Sequence, residues 1–257
     1  MENEFNLIET EENNADSRKK LVAVIEQYKS FHERHPNQVK PLWKIGNLYT
    51  LLGAGHSTTR RSKKTNYKKA VEYCEQAMML NPNFKQSIRD GNSIADSAKH
   101  LDENYLSAMG FWYTARFYYF RECFTAAERM FNVKLVMDNY KMISRIEELD
   151  PSWEGGGNMM SKAIYLIALP ERFGGSKKRA EIEFDKAIGA GPNYIVNRWA
   201  RAKYLHEITG NRSAYLEDLF WVLRQNPHKA GNSLPWNLYF QKQSRQMLAS
   251  RGISFDA

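Results

Sequence analysis

The sequence predicts an all-α fold, a superhelix of roughly a dozen helices paired into hairpins. Three observations carry this. Helix-forming residues follow a 3.6-residue apolar period almost from end to end, and no segment alternates as a strand does. Glycine and proline are few, Gly 15 and Pro 8, and stand where helices should stop. One spacing recurs: Ala70, Cys74, Ala77 and Pro82 stand at x, x+4, x+7 and x+12. The same order holds for Asn139, Ile143, Ile146 and Pro151, for Ala180, Phe184, Ala187 and Pro192, and for Tyr215, Leu219, Val222 and Pro227. The first intervals put three side chains on one helical face, and the proline ends the helix.

That spacing resembles the second helix of a tetratricopeptide repeat, A-x3-F-x2-A-x4-P. Trp199, Ala202, Lys203, His206 and Gly210 precede the last set at the register of a whole repeat. Leu42, Ile45, Gly46 and Tyr49 do so for the first, with an enlarged turn from Gly53 to Thr65. Stacked helix pairs of this kind form surfaces that hold partners and are rarely reaction centres.

In order along the chain, residues 1–17 read as a polar flexible leader and 18–257 as a single helical domain. Leu21, Val24, Ile25, Tyr28 and Phe31 make one stripe of a helix over 18–34, closed by His35-Pro36. Helices are expected at 38–52 and 66–80, then at 84–100 with Ile88, Ile94 and Ala98 inward. Residues 106–124 form the most aromatic stretch: Phe111, Trp112, Tyr113, Phe117, Tyr118, Tyr119, Phe120 and Phe124. This helix is apolar all round, so it is either enclosed core or the lining of a cavity. A helix over 126–149 follows. Gly155-Gly156-Gly157 opens the next hairpin, 158–168 and 177–189, with Ser176 as an N-cap. Helices at 194–209 and 211–225 form the last hairpin, and one at 235–250 covers the open end with Trp236, Tyr239, Phe240 and Leu248.

Composition narrows the function. The net charge is +8, which permits an acidic partner. The basic residues are spread, and no aromatic-interleaved basic stripe suggests nucleic-acid binding. The one dense cluster, Arg60, Arg61, Lys63 and Lys64, reads as a solvated loop. Cys74 and Cys123 read as buried free thiols. No segment is apolar for about 18 residues, so no transmembrane span is expected. Met1 to Asp16 is acidic and Asn-rich, unlike a signal peptide.

No catalytic or cofactor constellation emerges. The glycine clusters lack the G-x4-G-K-[ST] spacing and follow no strand, so they read as turns. His32 and His35 lack metal-ligand spacing. His206 reads as a packed core or edge histidine. Inward positions of the first helices of the two complete repeats fall on Lys40, Trp43, Asn47 and Thr50, and on Asn197, Ala200, Tyr204 and Glu207. The aromatic helix adds Trp112, Arg116 and Tyr119. The expected ligand- or partner-binding residues are therefore Trp43, Asn47, Trp112, Arg116, Tyr119, Asn197 and Tyr204. Arg116 could hold a ligand carboxylate or pair with an internal acid.

Residues 104–257 resemble a particular family, the T-component (TatT) of TRAP transporters. The carrying residues are Gly110-Phe111-Trp112-Tyr113-Thr114-Ala115, Leu149-Asp150-Pro151 running into Gly155-Gly156-Gly157, and Leu169-Pro170. They continue with Gly174-Gly175-Ser176-Lys177-Lys178-Arg179-Ala180, Phe184, Ala187-Ile188, Val222-Leu223, Asn226-Pro227, Asn237, Leu248 and Phe255. The resemblance implies a periplasmic, sometimes trimeric helical scaffold with a central cavity. It also implies docking on the ligand-binding subunit of the transporter, and holding or passing a small hydrophobic or acidic ligand. The alternative is a cytoplasmic tetratricopeptide adaptor that binds a peptide or protein in its groove.

Overall fold

A computed structural model of the chain describes residues 2–255; Met1, in the expected leader, and residues 256–257, at the end of the expected domain, lie outside the described residues. Among the described residues all regular structure is helical, with no strand. No helix is long and apolar enough to cross a membrane. The chain divides into two compact units, Met1–Asp150 and Pro151–Ala257.

The first unit opens with α1 (Glu2–Glu12), where the sequence suggests a flexible leader. Phe5 and Ile8 are buried, and the Phe5 ring lies 5.5 Å from Tyr28 and 5.1 Å from Phe31. Its acids find partners distant in sequence. Glu12 accepts from the Tyr28 hydroxyl at 2.7 Å and from Lys44 Nζ at 2.9 Å, and Glu9 accepts from Lys40 at 3.0 Å. The segment helps cover the stripe of α2 (Arg18–Arg34).

Next come α3 (Val39–His56) and α4 (Arg60–Met78), packed along each other. The enlarged turn expected at Gly53–Thr65 is mostly helix, and only residues 57–59 connect. Gly53 permits this, since a Cβ there would fall 2.3 Å from the Tyr67 ring. The basic cluster is thus the first turns of α4, a place where cations oppose the helix dipole. Tertiary acceptors offset that: Arg60 donates to Cys123 O and to Glu128 at 2.6 Å each, and Lys63 lies 2.8 Å from Glu122. It is not a solvated loop.

The helix expected at 84–100 is two pieces, α5 (Pro82–Arg89) and α6 (Ile94–Ser97), broken at Gly91 with φ +90°. The aromatic helix α7 (Leu106–Cys123) packs on α3, α4 and α9 (Val133–Leu149). A break at Asn132 separates α9 from α8 (Ala126–Phe131), whose start carries a capping box of Thr125 and Glu128. The Thr125 backbone and side-chain bonds, with Arg60, hold the Glu128 carboxyl down at about 2.

The second unit begins with α10 (Trp153–Ala168), interrupted by left-handed Glu154, Gly155 and Gly156, and packed on α11 (Lys177–Ala190). Then follow α12 (Ile195–Arg201), a π turn over Ala202–His206, and α13 (Glu207–Thr209). The unit closes with α14 (Arg212–Arg224) and α15 (Leu234–Ala249).

The recurring positions behave as their spacing requires. The first three members of each of the four sets are buried. Pro151, Pro192 and Pro227 follow the ends of α9, α11 and α14, and Pro82 starts α5 just beyond α4. Cys74 and Cys123 are free and buried.

Candidate functional site

In the first unit, α3 and α7 bring four of the expected residues together. Trp43 stacks on Phe111 with ring centroids 5.5 Å apart, and its face takes the Lys44 ammonium at 5.2 Å. Asn47, one turn further on, is buried. Trp112 is 1% exposed and donates its indole N–H to Glu75 Oε1 at 2.9 Å. Arg116 lies over the Trp112 ring at 4.2 Å. Its guanidinium donates to Asn139 Oδ1 at 3.0 Å and reaches Asp138 at 3.4 Å. Arg116 thus faces an internal acid, Asp138, one of the two partners the sequence leaves open to it. Burial raises the Glu75 carboxyl above the ordinary range, against the Trp112 donor and the Arg116 charge. Tyr119 stands at the other end of α7, edge-on to Phe124 at 5.0 Å and under Lys64 at 5.9 Å.

The second unit places Asn197 and Tyr204 differently. Asn197 is fully buried, and its Nδ2 donates to Gly155 O at 2.8 Å and Ala187 O at 2.9 Å. Those carbonyls belong to the left-handed turn of α10 and to α11, so the amide ties three helices. Tyr204 is half-buried, edge-on to Trp199 at 6.0 Å.

The second unit also holds a buried charge centre. Asp218 has no exposed surface. Arg201 grips it with two bonds of 2.8 Å, Arg198 donates at 2.9 Å, and His206 Nε2 stands 3.4 Å away. Burial alone would raise this carboxyl. The bonds from Arg201 and His206 and the arginine charges outweigh it and hold Asp218 below its ordinary value.

The most exposed apolar surface was missed by the repeat register. Met130 and Phe131, at the end of α8, are 77% and 89% exposed. Val133, Met137 and Tyr140 continue it along α9 at 52%, 60% and 40%. They fall at i, i+4 and i+7, one helical stripe. The opposite face of α9 buries Asn139, Met142, Ile143 and Ile146. The signal in the sequence was that second stripe: α9 carries more apolar residues than one packed face can use. Arg129, Lys134 and Lys141 flank the stripe in sequence, and Lys141 pairs with Asp96 at 2.5 Å. Such patches on a water-exposed surface mark interaction sites.

Among known families, the one described as TRAP transporter T-component matches residues 19–255. No curated protein matches the chain.

Proposed function

This chain belongs to the TRAP transporter T-component family, and from that premise we propose that it is a non-catalytic periplasmic subunit that docks the transporter's ligand-binding subunit through the apolar face of α8 and α9. The observation that carries the docking face is Phe131, a large aromatic side chain 89% exposed at the head of the Val133–Met137–Tyr140 stripe. Leaving such groups in water forgoes about 1.5–3 kcal/mol of burial for each. A partner that covers them recovers that energy. The neighbouring cations and the net charge of +8 suit a partner with an apolar centre and an acidic rim.

The helix hairpins act in this reading as a tetratricopeptide-like scaffold that holds the face in place. Trp43, Tyr119 and Tyr204 are half-buried and keep one side open to solvent, so they are candidates for additional partner or ligand contacts. Trp112, Arg116 and Asn197 serve first as internal supports.

A photo-crosslinking side chain at Met137 tests this. It should join the chain to the ligand-binding subunit of the transporter, while the same group at exposed Glu33 on α2 should not. Equal yields from the two positions would remove α9 as the docking face.

A further inference from the structure

The apolar face of α8 and α9 carries a chemistry that docking does not use. Met130 and Met137 are 77% and 60% exposed. The other described methionines are covered: Met78, Met109 and Met142 have no exposed surface, and the rest are half-buried. Both open thioethers therefore stand on one face. Met130 precedes Phe131 at the end of α8, and Met137 lies between Val133 and Tyr140 on the α9 stripe.

The remaining thiol sulfur is withheld. Cys74 and Cys123 are free but buried, and burial pushes both thiols up. A thiol reacts with oxidants as its thiolate, so neither cysteine is a ready target. A thioether has no proton to lose, and its sulfur lone pair is available at any pH. Exposure then selects which methionines react.

We propose that Met130 and Met137 are oxidative modification sites, and that their conversion to sulfoxides by a peroxide releases the docked partner. This rests on the docking reading. In the step, the thioether sulfur attacks one peroxide oxygen; an S–O bond forms and the O–O bond breaks. The leaving hydroxide takes the proton of the transferred oxygen and becomes water. The sulfur gives up two electrons, and the peroxide takes them. A flexible apolar side chain becomes a polar one with a strong acceptor oxygen. On the free chain that oxygen is in water. Under a partner it loses its water, and neither Phe131 nor Val133 offers it a donor. Oxidation therefore lowers affinity and leaves the fold alone. Methionine sulfoxide reductases reverse the change, which makes it a switch.

The test treats the full chain with hydrogen peroxide, maps the oxidised peptides by mass spectrometry, and measures the Kd for the transporter's ligand-binding subunit. Met130 and Met137 should take up oxygen before any other methionine. The Kd should weaken about tenfold, the scale of one polar group buried without a partner, and the reductases should restore it. Met130→Leu/Met137→Leu keeps the apolar volume without the thioether, so its own Kd should be the same before and after peroxide. Met130→Gln/Met137→Gln, polar without any oxidant, should bind as weakly as the oxidised chain. Oxidation of other methionines first, an unchanged Kd in the doubly oxidised chain, no recovery with the reductases, or a leucine variant as sensitive as the wild type would each overturn the proposal. If oxidation leaves the Kd unchanged while Phe131→Ser weakens it, the docking face stands and only the switch fails. If Phe131→Ser also leaves it unchanged, the docking reading fails and the switch with it.

Discussion

A Cβ on Gly46 would stand 2.5 Å from Cys74 Sγ and 3.0 Å from the Ala70 carbonyl oxygen. A close approach of α3 to α4 therefore depends on a missing side chain. Gly46→Ala should force the helices apart and cost about 1–3 kcal/mol. Urea unfolding measures it, and an unchanged midpoint would mean the hairpin has slack. Gly156 repeats the device in the second unit, where a Cβ would fall 2.7 Å from Ala187 Cα at φ +86°. By the same packing, Ala187→Leu should overfill its site and cost about as much.

Glu75 should be a destabilising acid at neutral pH. Burial raises its carboxyl above the unfolded value, although the Trp112 indole and Arg116 partly offset this. The folded state then binds more protons than the unfolded state in that window, so the wild-type chain loses stability as pH rises through it. Glu75→Gln keeps an oxygen acceptor for Trp112 and removes the charge. It should be at least as stable as the wild type at pH 7, with the difference shrinking toward pH 4. Lower stability of Glu75→Gln at pH 7 would show that the charge itself is needed beside Arg116.

Asp218 should behave in the opposite sense. Burial works against its charge, but Arg201 and His206 hold the carboxyl below its ordinary value. Its contribution is present above the unfolded value, about 3.9, and is lost as pH falls through the folded value. Acid unfolding should therefore begin below about pH 4. Asp218→Asn removes the acid facing Arg198 and one of the two acids facing Arg201, which keeps Asp185 at 2.7 Å, and should cost about 3–5 kcal/mol. A chemical denaturation series over pH in both proteins checks the pair. Coincident curves would mean that the arginines find other partners.

Much of the helical framework was legible because its signals are local. The predicted 18–34 helix is α2, and the proline-ended spacings mark the ends of α9, α11 and α14 and the break after α4. What was missed depends on residues far apart in sequence. α1 has only Phe5 and Ile8 as apolar anchors, and its acids gain meaning from Lys40 and Lys44 on α3. The basic turn became helix because Glu122 and Glu128 stand opposite it. The candidate residues fared unevenly for the same reason. The repeat register finds residues that face a neighbouring helix, so it selected Asn47 and Asn197, and the aromatic helix added Trp112, all buried. The exposed stripe of α9 needed the opposite question, which apolar side chains have no helix to cover them.

The central claim is that α8 and α9 dock the ligand-binding subunit of the transporter. The most direct measurement is the Kd between that subunit and the Phe131→Ser/Met137→Lys double variant, beside the wild-type chain. Both residues are exposed, so urea unfolding of the variant should match the wild type within about 0.5 kcal/mol per substitution. The account predicts a Kd weakened at least tenfold, about 1.4 kcal/mol. An equal Kd for the two proteins would contradict it.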